Sequence, residues 1–190
     1  VHYQPKIDLR DGSIAGAEAL VRWELTDRGL VLPSEFIPLA EESNLILELG
    51  EWVLDRVCRD YRHLREGAIN PGRISVNLSL RQLKQRDFIN RVSAICNQYG
   101  VSPDSLELEI TETTLMEDPA RTTRILAELH QMGLRLAIDD FGTGYSSLSA
   151  LQQFPIGTLK IDQSFVRHAT TSHDQATIVA LIIEMGHTLR

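Results

Sequence analysis

From Ile74 onwards the chain alternates apolar runs of strand length with stretches of helical spacing. The runs are Ile74 to Leu78, Leu106 to Thr111, Leu134 to Asp139 and Thr158 to Ile161. Between them the spacing predicts helices near Arg81 to Tyr99, from the cap Asp118-Pro119 to Gly133, and around Ser147 to Gln153. Such alternation implies βαβ units, in either an open doubly wound sheet or a barrel. Polar residues separate the two: Asn77, Glu109, Asp139 and Lys160 stand at or near the C-terminal ends of four successive runs. A TIM-type barrel assembles its site from several strand ends, whereas an open sheet concentrates it at one switch point. The expected fold is therefore α/β, of the modified TIM (β/α)8 type.

The start of the chain modifies that pattern. Val1 to Leu9 and Ile14 to Trp23 read as strands separated only by a turn at Asp11-Gly12. A parallel pair needs a connection of roughly a dozen residues, so these two form an antiparallel hairpin. A polar loop containing Gly29, a helix over Ser34 to Glu42 and a longer helix from Asn44 follow. Ile46, Leu49, Val53, Val57 and Leu64 form the core face of the longer helix. The last helix spans Asp174 to Leu189, with Ile178, Leu181, Ile182 and Met185 on one side. Six strands can be counted where closure requires eight, and the chain reads as stopping before strand seven.

With 190 residues and 43% hydrophobic content, the chain can bury a core as one folded domain. Its net charge of −7 is spread along the length, which argues against a DNA or RNA groove but allows a small anion held through metal ions. Cys58 and Cys96 are far apart and outside any CxxC, so neither a disulfide framework nor a zinc knuckle is expected. No signal peptide or membrane-length apolar run is present, which points to a cytoplasmic domain.

In LRLAIDDFGTGYSS, Leu134 to Ser147, an apolar strand ends on two adjacent carboxylates and breaks into a glycine turn. Adjacent aspartates remain ionised beside apolar residues only when a cation neutralises them. Alternation along Leu106 to Thr111 places Glu107, Glu109 and Thr111 on one face, either an acidic interior face or a solvent-facing edge. Glu18 and Asn77 each interrupt an apolar strand. Asn77 alone could be a satisfied core hydrogen bond. Together Glu18, Asn77, Glu109, Asp139 and Asp140 form an all-oxygen set suited to Mg2+ or Mn2+. Lys160 either holds a water or a phosphate oxygen at such a site, or is a surface lysine paired with Asp162.

These residues lie in motifs that resemble the EAL family of cyclic di-GMP phosphodiesterases. The motifs are YQP from Tyr3, Glu18-Ala19-Leu20 with Arg22-Trp23, EFIPLAEE from Glu35, VNLS from Val76, LELEITE from Leu106, IDDFGTGYSSL from Ile138 and LKIDQSFV from Leu159. The resemblance covers nearly the whole chain and implies a barrel whose first strand is antiparallel. It implies hydrolysis of cyclic di-GMP to linear pGpG. Glu18, Asn77, Glu109 and Asp139 would hold a first metal ion, and Asp139 would bridge to a second that Asp140 also binds. Lys160 would contact the nucleophilic water, with Asp162 close by. Gln4 and Arg22 would contact substrate, and Glu112 would anchor the loop Phe141 to Ser147, which in the family links dimerisation to metal occupancy. A homodimer and attached sensor or GGDEF domains are further implications. The family's strand-seven glutamate, in an AEGVE-like motif, is not matched, so residues 1–190 read as an EAL domain truncated at its C-terminal end, with the second metal incomplete. A receptor that binds cyclic di-GMP without cleaving it is the alternative. A third reading sets the family aside and makes Lys160 the proton-abstracting base of a metal-assisted barrel lyase.

Overall fold

The computed structural model describes residues 1–144 and 151–188. The start of the helix expected at Ser147, the turn residues Tyr145 to Ser147 and the helix end at Leu189 lie outside the described residues. The chain divides into two compact units, Val1–Leu108 with Met132–Leu134, and Glu109–Gln131 with Arg135–Arg190.

In the first unit, β1 (His2–Ile7) and β2 (Ile14–Leu20) form the antiparallel hairpin argued from their short connection. Gly12 adopts a φ of 74°, the left-handed backbone that the turn demands and glycine supplies without a Cβ penalty. The register sets Gln4 opposite Glu18 and Lys6 opposite Gly16. Two short strands follow, β3 (Trp23–Leu25) and β4 (Gly29–Val31), and pair as a separate hairpin. Trp23 thus belongs to β3 rather than to the second strand, and the polar loop at Gly29 is a tight hairpin. β5 (Arg73–Asn77) pairs in parallel with β2 and sets Ser75 opposite Glu18. Beyond it lies β6 (Leu106–Thr111), so the strand order here is β1-β2-β5-β6.

The helices of this unit are α1 (Pro33–Glu42), α2 (Leu45–Glu66), α3 (Leu80–Leu83) and α4 (Phe88–Tyr99). Pro33 occupies the first turn of α1, where its missing N–H costs nothing. On α2, Ile46, Val53 and Val57 are buried as expected, and Leu49 and Leu64 are half-buried. The single helix expected over Arg81 to Tyr99 is two. Ser79 and Gln82 form a reciprocal capping box that starts α3, and α4 restarts after Asp87. Phe88, Val92 and Ile95 point inward, each burial contributing about 1.5–3 kcal/mol.

In the second unit β6 ends at Thr111 and the order continues β6-β7-β8, with β7 (Arg135–Phe141) parallel to β8 (Thr158–Ile161). Its helices are α5 (Glu112–Glu117), α6 (Pro119–Gln131), α7 (Gln163–Val166) and α8 (His173–Thr188). Asp118 caps α6 through the backbone N–H of Arg121 at 3.2 Å. Leu126 and Leu129 of α6 and Leu136, Ala137 and Ile138 of β7 are almost fully buried and form this unit's core. Of the inward residues expected on α8, Ile182 is buried while Leu181 is 64% exposed, so the buried stripe is narrower than the spacing predicts. The fold is α/β with an antiparallel first strand, and the main sheet has six strands among the described residues. Among the described residues no helix is long and apolar enough to cross a membrane.

Candidate active site

Three charged residues meet in the second unit. Glu109 comes from β6, Asp139 from β7 and Lys160 from β8. The Lys160 Nζ donates to Glu109 Oε2 and lies 3.0 Å from Asp139 Oδ2. Glu109 is 1% exposed, so the acidic face of β6 is interior, not a solvent edge. Lys160, with its side chain 23% exposed, is correspondingly not a surface lysine. A buried carboxylate without compensating charge is costly, and the ammonium supplies that charge. Carboxylate oxygens of Glu109 and Asp139 come within 4.8 Å of each other. Two carboxylates against one ammonium leave a net negative, all-oxygen donor set that fits a hard divalent cation.

The strand carrying Asp139 is irregular at that point. Between Ile138 and Phe141 β7 has one more residue than its partner stretch Leu159 to Ile161. Asp140 absorbs the extra residue with a φ of 52°, and its N–H donates to Asp139 Oδ1 at 3.0 Å. Such a bulge re-aims side chains, and here it delivers two consecutive carboxylates from a strand whose neighbours would otherwise alternate between faces. Burial, then the charges of Asp139 and Asp162, raise the Asp140 carboxyl above its ordinary value. Asp162 caps α7, accepting from the Ser164 N–H at 2.9 Å, and these Ser164 hydrogen bonds hold its carboxyl below the usual range.

The glycine turn that follows is tied to α5. Glu112 Oε2 accepts from the N–H of Gly142 at 3.1 Å and of Gly144 at 3.2 Å, and Glu112 is 3% exposed. A side chain at either glycine would crowd this arrangement. A Cβ on Gly142, whose φ is 100°, would come within 3.0 Å of the Phe165 ring, and one on Gly144 would meet the Glu112 carboxylate at 2.9 Å.

In the first unit, Asn77 Nδ2 donates to Glu18 Oε1 at 3.0 Å, joining the ends of β5 and β2. Asn77 is exposed, so it is no core hydrogen bond. Gln4, opposite Glu18 in register, is also exposed. The Arg22 guanidinium donates to the Val21 carbonyl at 2.8 Å and lines a groove of about 530 Å3 with Trp23, Phe36, Leu45 and Trp52. Trp23 packs edge-on against Phe36 at 5.8 Å.

Not every polar residue of consequence was foreseen. Lys6 and Ser75, which bond Glu107, carry no motif, and only their even spacing from Gln4 and Asn77 marks them.

The family model described as EAL domain matches residues 1–190. The chain belongs to the EAL domain family. Among curated relatives, the bifunctional diguanylate cyclase/cyclic di-GMP phosphodiesterase MucR of Pseudomonas aeruginosa is 42% identical over 189 residues, covering 100% of this chain and 28% of MucR. The cyclic di-GMP phosphodiesterase NbdA of the same organism is 40% identical over 189 residues, 100% of this chain and 24% of NbdA. This EAL domain thus spans about a quarter of the length of those relatives. A solved structure of the PaMucR phosphodiesterase in complex with c-di-GMP aligns with a TM-score of 0.95 at 42% identity, over 99% of this chain and 76% of that one.

Proposed function

We propose that this EAL domain hydrolyses one phosphodiester bond of cyclic di-GMP to give linear pGpG, in bacterial second-messenger signalling. The observation that carries the reading is the cluster of buried Glu109 with the half-buried Asp139 and Lys160, in a chain that the EAL family matches from end to end.

The proposed ligands of a first Mg2+ or Mn2+ ion are Glu18, Asn77, Glu109 and Asp139, with Asp139 and Asp140 serving a second. Bound there, the ions would lower the pKa of a water and offset charge developing at phosphorus. Lys160 orients that water through its ammonium, and Asp162, two residues on, borders the same strand end. Arg22 grips a substrate phosphate, for which a guanidinium fork offers two parallel donors. Gln4, exposed beside Glu18 in the register, hydrogen-bonds the substrate. Glu112 accepts from the Gly142 and Gly144 amides, which supports its reading as a loop anchor; coupling of that loop to a homodimer interface is part of the proposal. Sensor or GGDEF domains are the proposed regulatory partners, and the cytoplasm the compartment.

The test is calorimetric binding of cyclic di-GMP together with chromatographic detection of pGpG, using the protein in its natural form with Mn2+ and with EDTA. Mn2+-dependent pGpG release is expected. Binding without release by folded, Mn2+-loaded protein would overturn the reading and leave a receptor.

A further inference from the structure

Within the first unit a second charged cluster spans the sheet. Lys6 Nζ on β1 donates to Ser75 Oγ on β5, and it also bonds Glu107 Oε2 on β6 at 3.0 Å. Ser75 Oγ donates to the same Glu107 oxygen at 2.7 Å. Ser75 is fully buried and Glu107 is 4% exposed, whereas the Lys6 side chain retains 31% exposure. One ammonium and one hydroxyl therefore converge on a single buried carboxylate oxygen, a charge-assisted arrangement with strict geometric demands.

The strand order gives this cluster its reach. β2 lies between β1 and β5, so Lys6 must cross it to meet Ser75. Opposite Lys6 stands Gly16, which has no side chain to obstruct the crossing. Only glycine fits at that position, because a Cβ there would meet the Arg73 carbonyl oxygen at 2.2 Å. The network thus fastens three strands around a fourth whose backbone sits unusually close to β5.

Each member is one same-face step along its strand from a proposed site residue. Lys6 is two residues from Gln4, Gly16 from Glu18, Ser75 from Asn77, and Glu107 from Glu109. We infer that Lys6, Ser75 and Glu107 are positioning residues, a polar layer that sets the spacing of the strands delivering Gln4, Glu18, Asn77 and Glu109. The ion pair holds its strands in register by direction-specific bonds, which apolar packing in the same layer would not enforce. A shift of a fraction of an ångström in β5 or β6 carries through the next residue pair to the ligand oxygens. Metal coordination tolerates such shifts poorly, Mg2+ least of all. The inference rests on the phosphodiesterase reading for its consequence in turnover, but not for its consequence in metal affinity.

The test compares wild type with Lys6→Met, Lys6→Arg, Glu107→Gln and the double variant Lys6→Met/Glu107→Gln. The readouts are Mn2+ affinity by calorimetry, kcat and KM for cyclic di-GMP, and melting temperature. Val57→Ala, a cavity in the core face of α2, is the control for stability alone. Lys6→Met and Glu107→Gln are expected to weaken Mn2+ binding about tenfold and to lower kcat more than they raise KM. Lys6→Arg is expected to restore most of the loss. Val57→Ala is expected to lower the melting temperature with Mn2+ affinity unchanged. Folded Lys6→Met and Glu107→Gln proteins with wild-type Mn2+ affinity would overturn the inference, as would the same loss in Val57→Ala. If wild type binds Mn2+ without releasing pGpG, the phosphodiesterase reading fails while the affinities of the variants still decide the inference. Wild type that binds no Mn2+ overturns both.

Discussion

Lys160 and Glu109 form an ion pair in which the carboxylate side chain is fully removed from solvent and the ammonium is not. The lysine is therefore the accessible half of the pair, and Asp139 shares it at 3.0 Å. A cation held between two strand-end carboxylates offsets part of their charge and leaves the set net negative.

Removing that cation should be felt in both stability and turnover. Lys160→Met leaves Glu109 buried beside Asp139 without the ammonium, a change that costs about 3 kcal/mol or more by analogy with broken buried pairs. Urea unfolding should show that loss in metal-free buffer and a partial recovery when Mn2+ is added. Turnover of cyclic di-GMP should fall about 100-fold or more if the lysine orients the water.

A second outcome concerns the bulged aspartate. Burial and the neighbouring charges of Asp139 and Asp162 raise the Asp140 carboxyl, so its ionised form is disfavoured in the folded chain without metal. Asp140→Asn should raise the melting temperature of the metal-free protein at neutral pH, by a small amount because Asp140 is exposed and solvent screens its neighbours. The sign follows from the raised value: the penalty is present above it and disappears as pH falls through it. Differential scanning calorimetry with and without Mn2+ should show the variant gaining less than wild type from the metal.

The turn after β7 gives a third. Gly142 has a φ of 100° and a Cβ there would press on the Phe165 ring at 3.0 Å, so Gly142→Ala combines backbone strain with a tight contact. A loss of about 1–3 kcal/mol is expected, with faster amide exchange at Gly144 as its bond to Glu112 loosens.

How much of this was legible in the sequence depends on whether the signal was local. The β1–β2 antiparallel pairing followed from a connection too short for a crossover, and the strand ends of Asn77, Glu109, Asp139 and Lys160 followed from short apolar runs alternating with helical spacing. The break between α3 and α4 had no glycine or proline to announce it, since Gln85, Arg86 and Asp87 all tolerate helix. The hairpin of β3 and β4 was hidden because strands of three residues have no periodicity to read. Helices α5 and α7 are similarly short. The acidic face of β6 was visible as a pattern. What it faces was not, because the partners Lys6 and Lys160 are 101 and 51 residues away.

A fourth outcome tests the packing of β1 on α2. Tyr3 donates its hydroxyl to Asp60 Oδ2 at 2.8 Å, and Asp60 also accepts from Arg56. Burial first, then the hydrogen bond and charge of Asp60, push the phenol well above its ordinary value of 10.0. A raised folded value means that the stabilisation is complete below the unfolded value near 10.0 and is lost as pH rises beyond it. Tyr3→Phe should cost about 1 kcal/mol at pH 7. Chemical unfolding should show the gap to wild type closing above pH 10.

The most direct measurement is hydrolysis of cyclic di-GMP in 18O-labelled water by the Mn2+-loaded protein in its natural form, followed by mass spectrometry of the product. Direct attack of water on phosphorus predicts linear pGpG with a single 18O in its terminal phosphate, with product formed about 100-fold or more slowly by Lys160→Met and none in EDTA. Cyclic di-GMP recovered intact and unlabelled from folded, Mn2+-loaded wild type would contradict the account.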